Sequence, residues 1–438
     1  MKKLKYTADA DAFHRLQHRS YEEPLLWFVL AFQIICMLML AFRDGKPDLF
    51  CIVSAAALPF VTYRTYLFLK YRYFADLCLF LCTAFLCALG LITLRSVKPE
   101  NSFNHALYLL IGTGMLLFGC VVIQKLSGSV RAVYILGMIA VIAFNLLPLM
   151  FGVGGNTHNW VRVGGRQFQP SELMKPAMVL ILAYGYAKGP RMRYWLWYTL
   201  FGAACCAVIA FAQKDLGGAF LYFMLTIAMF AAGTGRVKIA LSVFILFAAA
   251  CVCVVLLRDS LSFIPNRVIE RIEIWDDPLQ ADPEKARQII QGLISICSGG
   301  LLGSGLGLSY AGSVYVVASD YIFAAVAETF GMIFAVCVIG IYLLMLLRGM
   351  SIALNARTRF HSLVAFGCTF LIVIQMLTIV MGNLKLIPLT GVTLPFVSDG
   401  GSSLVSCLML MGMLLGISGM NAEDEEDDHK KINGGHGK

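Results

Sequence analysis

Three aspartates, two Asp-Pro steps and a group of cations lie within one stretch, RVIERIEIWDDPLQADPEKARQIIQ, from Arg267 to Gln291. The aspartates are Asp276, Asp277 and Asp282. Arg267 and Arg271 precede them, and Lys285 and Arg287 follow. A carboxylate held near cations is ionised at neutral pH. It can then accept a proton from a substrate hydroxyl as a general base. Neighbouring cations suit a phosphate leaving group, arginine through bidentate contacts. A solvated loop carrying surface ion pairs has the same composition, and the residues alone leave both readings open.

Other ionisable residues lie beside or inside apolar runs, where charge is costly and functional roles concentrate. Glu172 and Lys175, in FQPSELMKPAM, are three apart, which places them on one helix face. They read as a structural ion pair or as substrate-positioning groups. Asp215, in AQKDLGGA, and Asp320, in VASDYIFAAVAETFG, both stand where a helix N-cap is expected. Glu328 follows Asp320 by two turns on nearly the same face. The glycine-rich run CSGGLLGSGLGLS, 297–309, lacks the Gly-Lys-Ser/Thr of a nucleotide loop and reads as close-packed backbone. The last polar interval holds Lys385, Pro388, Pro395 and SDGGSS with Ser402 and Ser403, an irregular segment suited to lining a shielded cavity. His105 and His158 are isolated.

The elements that must position these groups are membrane helices. Of 438 residues, 59% are hydrophobic and 14% charged, against roughly a quarter charged in soluble domains. Twelve apolar spans are expected, at 24–42, 49–67, 74–95, 106–125, 132–151, 170–187, 194–213, 216–234, 238–257, 321–347, 360–381 and 402–420. The fold class is thus an all-α polytopic membrane protein. A polar segment of more than twenty residues opens the chain, so the first span reads as retained rather than cleaved. Lys and Arg concentrate in alternate connections, which predicts both termini in the cytoplasm. The net charge of +9 follows from that bias and calls for no nucleic acid. The intervals 152–169, 258–320 and 382–401 then fall together on the outer face. The 14 cysteines lie mostly in apolar runs without metal-ligand spacing, so no metal is expected. The sequence does not indicate a divalent cation and leaves open whether one assists. The tail NAEDEEDDHKKINGGHGK reads as a solvated, disordered segment.

Four blocks in order resemble the SEDS family (FtsW, RodA and SpoVE). NWVRVGGRQFQPSELMK, 159–175, is similar to the family's W-I-x-L-G-x-x-x-F-Q-P-S-E-x-x-K. AQKDLGGA, 212–219, is similar to Q-P-D-L-G-T. SGGLLGSGLG with SDYIFAAVAETFG is similar to G-x-G-L-G and T-D-F-I-F-A-x-x-x-E-E-x-G. LIPLTGVTLPFVSDGGSSL, 386–404, is similar to L-P-x-T-G-x-x-L-P-F-x-S-Y-G-G-S-S. The likeness covers roughly residues 74 to 420. Lys214 stands where the family has Pro, Thr329 where it has a second Glu, and Asp399 where it has Tyr. The resemblance implies a ten-helix core, so the two spans before it read as additions. The expected organisation is a cytoplasmic segment 1–23, two added helices 24–72, a catalytic core 73–420 and a cytoplasmic tail 421–438.

The resemblance also implies a reaction: polymerisation of lipid II into glycan strands at the outer face of the bacterial cytoplasmic membrane. A class B penicillin-binding protein would be the partner, and an undecaprenyl-diphosphate-linked glycan the second substrate. The family's essential aspartate, in D-P-x-G-x-G-Y-Q, corresponds to Asp282, although Glu284-Lys285-Ala286 replaces its Gly-x-Gly. Asp277 therefore stays an alternative. Glu172, Lys175, Asp215, Asp320 and Glu328 take family motif positions, and Arg162, Arg267 and Arg271 are candidates for stabilising the departing diphosphate. A flippase for lipid-linked precursors and a non-catalytic scaffold are the competing classes.

Overall fold

The computed structural model describes residues 2–43, 45, 47–126, 131–152, 159–164, 166–189, 192–257, 266–308 and 317–434. In chain order the helices are α1 (Lys2–Ala41), α2 (Leu49–Phe68), α3 (Leu77–Val97), α4 (Ser102–Lys125), α5 (Arg131–Phe151), α6 (Pro170–Leu173), α7 (Lys175–Ala187), α8 (Met192–Ala207), α9 (Leu216–Thr234), α10 (Val237–Leu256), α11 (Asn266–Asp276), α12 (Pro283–Ser298), α13 (Ile322–Phe330), α14 (Met332–Asn355), α15 (Arg359–Asn383) and α16 (Gly401–Gly434). Eleven helices among the described residues are long and apolar enough to cross a membrane. The all-α polytopic fold expected from the sequence is therefore present.

Three expected elements differ. The span at 170–187 is broken at Met174 into α6 and the 13-residue α7. Pro176 lacks the N–H that a continuous helix would use, and Pro170 starts α6 for the same reason. The span at 321–347 is also two helices. Gly331 (φ 91, ψ 166) turns the chain between α13 and α14, and only α14 is long enough to span. The acidic tail continues α16 to Gly434 instead of leaving the helix, because no Gly or Pro interrupts the run from Met420 to Asn433. In the 152–169 interval, Val161–Val163 (β1) pairs antiparallel with Arg166–Phe168 (β2). Gly164, at φ +57, supplies the left-handed residue that such a tight hairpin needs.

Helices α3, α15 and α16 form the enclosed centre, whereas α10 packs chiefly on α9 and presents Leu241, Ile245, Leu246 and Val252 outward. Apolar side chains facing out suit a lipid surround. The most extensive contact is between α4 and α16. It is lined by Gly112, Gly119, Gly412 and Gly416; a Cβ at Gly412 would run into the Leu116 carbonyl. Small residues let the two backbones approach, which is how helices gain packing energy where lipid removes the hydrophobic drive.

The first two helices are fixed to the rest by a few polar ties and an aromatic cluster. Gln33 Nε2 of α1 donates to Thr62 Oγ1 of α2 at 3.1 Å, which joins the two helices to each other. Phe32 of α1 lies 4.8 Å from Phe85 and 6.5 Å from both Phe330 and Phe334, centroid to centroid. Asp48 caps α2 by accepting from Phe50 N and pairs with Arg95 of α3. Burial alone would raise the Asp48 carboxyl, but the bonds from Arg95 and Cys51 outweigh it and hold it below the ordinary carboxylate value.

Candidate active site

The three polar intervals meet at one end of the bundle. Gln169, between β2 and α6, donates through Nε2 to Asp215 Oδ2 at 2.7 Å, and its backbone N–H reaches Ser402 Oγ at 3.3 Å. Asn159 Nδ2 also approaches Asp215 Oδ2, at 3.3 Å. The other oxygen of Asp215 accepts from Gly218 N at 2.9 Å, so Asp215 is an N-cap of α9, as the sequence indicates. The preceding Lys214 is left-handed (φ 58), which turns the chain sharply into that cap.

Glu172 and Lys175 do pair. Lys175 Nζ lies 2.6 Å from Glu172 Oε1 and donates to Gln375 Oε1 at 3.0 Å. The lysine is fully enclosed and the glutamate nearly so. Gln375 Nε2 donates onward to the Thr393 carbonyl at 2.9 Å and to Ser403 Oγ at 3.2 Å, and Thr393 Oγ1 bonds Ser403 Oγ at 2.7 Å. A buried charge pair survives only when its remaining bonding capacity is met, and this relay meets it. Ser402 and Ser403 thus belong to the site through Gln169 and Gln375.

Asp320 does not cap α13, as the spacing suggested. The N-cap is Tyr321, with no side-chain bond, because Asp320 falls in a turn at 317–321. Its carbonyl accepts from Asn383 Nδ2 at 2.7 Å. Burial raises its carboxyl above the ordinary value; a bond from Ser319 and the charge of Arg271 partly offset this, while Asp215 adds to it. Asp320, Arg271 and Asp215 therefore share one electrostatic neighbourhood. Glu328 is fully buried on α13 and does not lie in a long span. The glycine-rich run packs against it: the Glu328 carbonyl accepts from Ser304 N at 2.8 Å, and a Cβ at Gly299 would meet the Ala327 carbonyl. Close-packed backbone was the reading from sequence.

The aspartate-rich stretch is ordered by two helices that the sequence reading left as loop. Asp282 stands before Pro283, the first residue of α12, and its carbonyl starts the helix by accepting from Ala286 N at 2.9 Å. Its side chain is exposed. Asp277 is half-buried and turns back to accept from Leu279 N at 3.0 Å. Helix α11 is held to the last polar interval by Trp275 Nε1 to the Lys385 carbonyl (3.0 Å), Lys385 Nζ to the Asp276 carbonyl (3.2 Å) and Arg271 to the Leu389 carbonyl (3.4 Å). Arg162 is exposed on β1. The side chain of Arg267, the expected role of His158 and the end of the glycine-rich run at Ser309 lie outside the described residues. Gln169, Gln375, Asn383 and Thr393 were missed from sequence. Gln375 had a signal, as a lone amide in LIVIQMLTIV.

No cluster of three or more His, Cys, Asp or Glu suited to a metal occurs among the described residues. The arrangement offers the exposed carboxylates of Asp276 and Asp282, the exposed guanidinium of Arg271, and a buried polar relay through Glu172, Lys175, Gln375 and Ser403.

Comparison with known proteins places the chain among relatives of the same helical fold. The sequence profile described as "Cell cycle protein", of the FtsW, RodA and SpoVE group, matches residues 68–423. Stage V sporulation protein E of Bacillus subtilis is 32% identical over 78% of this chain and 96% of its own length. Probable peptidoglycan glycosyltransferase FtsW of the same organism is 30% identical over 81% of this chain and 93% of its own. Among solved structures, a chain from a study titled "Structural coordination of polymerization and crosslinking by a peptidoglycan synthase complex" superposes with a TM-score of 0.60 at 25% identity, covering 79% of this chain and 98% of that one. The rod shape determining protein RodA of Thermus thermophilus has the same fold, with a TM-score of 0.55 at 24% identity over 80% of this chain and 98% of that one.

Proposed function

The chain belongs to the FtsW, RodA and SpoVE family of cell cycle proteins, and on that premise we propose that it is a peptidoglycan glycosyltransferase polymerising lipid II at the outer face of the cytoplasmic membrane. The carrying observation is the convergence at one end of the bundle: Gln169 on Asp215 and Ser402, Trp275 on Lys385, and Arg271 on the Leu389 carbonyl. Side chains and backbone from all three polar intervals are thereby brought to one place. An outward site, with both termini inside, is supported by the Lys and Arg bias of the connections. It also suits a substrate whose tail stays in lipid while its sugars stay in water.

In this mechanism Asp282 takes the proton from the 4-hydroxyl of the acceptor sugar. The oxygen attacks the anomeric carbon of the lipid-linked donor, forming the C–O bond of the glycan. The bond from that carbon to the diphosphate oxygen breaks, and undecaprenyl diphosphate leaves with the bonding electrons. Arg271, with Arg267 and Arg162, offsets the charge that develops on the leaving group; such preorganised stabilisation is commonly the largest catalytic term. Asp282 suits the role because it is exposed at a helix start, whereas Asp277 is half-buried and engaged by its own turn. The Glu172–Lys175–Gln375 relay keeps this end of the bundle rigid rather than touching the reacting atoms.

A class B penicillin-binding protein is the proposed partner. The helices before residue 68 lie ahead of the family match and are proposed as an addition to the core. The test is glycan-strand formation from labelled lipid II by purified protein with its partner. Loss in Asp282→Asn with retention in Asp277→Asn supports the assignment. Full activity in Asp282→Asn overturns it, and lipid II translocation without polymer would favour a transporter.

A further inference from the structure

Asp399 is a charged residue of this region that the mechanism does not use, and it stands where the family pattern has tyrosine. It lies two residues before α16. Its backbone N–H donates to the Ala318 carbonyl at 2.8 Å, joining it to the turn that carries Asp320. The neighbouring Ser398 strengthens the same joint, donating to the Ser319 carbonyl at 2.6 Å and accepting from Leu394 N at 2.8 Å. The Asp399 carboxylate engages α4 instead. Asn101 Nδ2 donates to Oδ2 at 2.9 Å, and His105 Nδ1 lies 3.5 Å from Oδ1.

His105 is fully enclosed, and neither ring nitrogen makes a hydrogen bond among the described residues. An imidazole sealed away with no bonded nitrogen is costly, and the Asp399 carboxylate is the polar group that faces its Nδ1. The two residues explain each other: a carboxylate in the place of tyrosine needs a polar partner on α4, and His105 is the ring that approaches it. Three parts of the site meet here: the outer end of α4, the 317–321 turn with Asp320, and the head of α16. Ser402 and Ser403, three and four residues on, hold Gln169 and Gln375.

We propose that His105 and Asp399 are positioning residues for glycosyl transfer, locking the Asp320 turn and the serine-bearing start of α16 to α4. Neither touches substrate. Their effect passes through the placement of Asp320, Ser402 and Ser403. The proposal rests on this end of the bundle being the site of transfer, and not on which aspartate is the base.

The experiment is a double-substitution cycle with Asp399→Asn and His105→Gln in the full chain with its partner, read by initial rates over a range of lipid II concentrations. Small misplacements of reacting groups cost large factors in rate. Each single variant should lower kcat by about tenfold with KM within about twofold, and the double variant should be no worse than the weaker single one. Asp399→Glu should recover part of kcat. Independent multiplying losses, a loss confined to KM, or unchanged kcat in Asp399→Asn would overturn the proposal. Amide exchange covers variants with too little activity to titrate: faster exchange at 318–320 and 399 in His105→Gln is expected, and unchanged exchange overturns the proposal. Asp282→Asn and Asp277→Asn are run in parallel. Their retained activity would remove the base assignment, while the coupling between His105 and Asp399 is read on the transfer that remains.

Discussion

Trp275 and Lys385 hold each other in both directions: the indole N–H donates to the lysine carbonyl at 3.0 Å, and the lysine ammonium donates to the carbonyl of Asp276, the residue after the tryptophan, at 3.2 Å. This clasp fixes the end of α11, and so the start of the aspartate-rich turn, to the last polar interval. Trp275→Phe keeps the ring packing and removes one donor. A net hydrogen bond is worth about 1 kcal/mol, so a fall of about fivefold in polymerisation rate is expected, with little change in thermal midpoint. Lys385→Met should act in the same direction. Equal activity in both variants would mean that α11 is placed by other contacts.

The choice between two aspartates can be settled by magnitude. Removing a general base costs about a hundredfold to ten-thousandfold. Asp282→Asn should therefore abolish measurable strand formation without loss of fold. Asp277→Asn removes the charge but keeps an oxygen that can accept from Leu279 N, and less than about tenfold is expected, since Asn makes the same turn. The reversed order of severity would move the base to Asp277.

The Lys175 ammonium has Glu172 and Gln375 as partners in a sealed setting. Lys175→Met leaves the glutamate buried without its cation, which typically costs about 3–5 kcal/mol. A large drop in detergent thermal stability should result. The double variant Glu172→Gln with Lys175→Met should regain much of it, because no uncompensated charge remains. If the double variant is as unstable as the single, the pair is not the source of the loss.

Asp320 gives a pH dependence of defined sign. Its carboxyl is raised in the folded protein, first by burial. It binds its proton more tightly folded than unfolded. Its contribution is complete below the ordinary value of about 3.9 and is lost as pH rises through the raised value. As pH rises from about 3.9 through the raised value, the thermal midpoint of the native protein should fall relative to Asp320→Asn. Parallel curves would show that this carboxyl does not titrate differently in the two states.

Much of the fold was legible because lipid imposes a simple rule. Long apolar runs become helices, and nearly all were found where α2, α3, α5 and α9 now stand. Asp215 was readable as a cap because Gly217 and Gly218 follow it. Glu172 and Lys175 were readable from their spacing of three. The break at Met174 was not, because α6 and α7 are joined by an apolar residue in an otherwise continuous pattern. Helix α12 was missed although Ala286, Ile289, Leu293 and Ile296 recur at three and four, because its polar remainder looked like loop. Gln375 could be noticed, but not its partner: Lys175 lies 200 residues away in sequence. The pairing of His105 with Asp399 was illegible for the same reason, since only the joint between α4 and the head of α16 brings them together.

The aromatic cluster that joins α1 to the rest has a consequence set by solvent. In water, stripping Phe32 from Phe85, Phe330 and Phe334 would expose a greasy scar and invite aggregation. In a bilayer, acyl chains would cover that scar at little cost, since lipid is as apolar as the helix it replaces. A chain beginning near residue 68 should therefore still insert and fold, losing contact energy rather than solubility. Expression and thermal midpoint of such a truncation measure how much of the architecture the first two helices sustain, and a chain that fails to accumulate would show them to be a folding requirement.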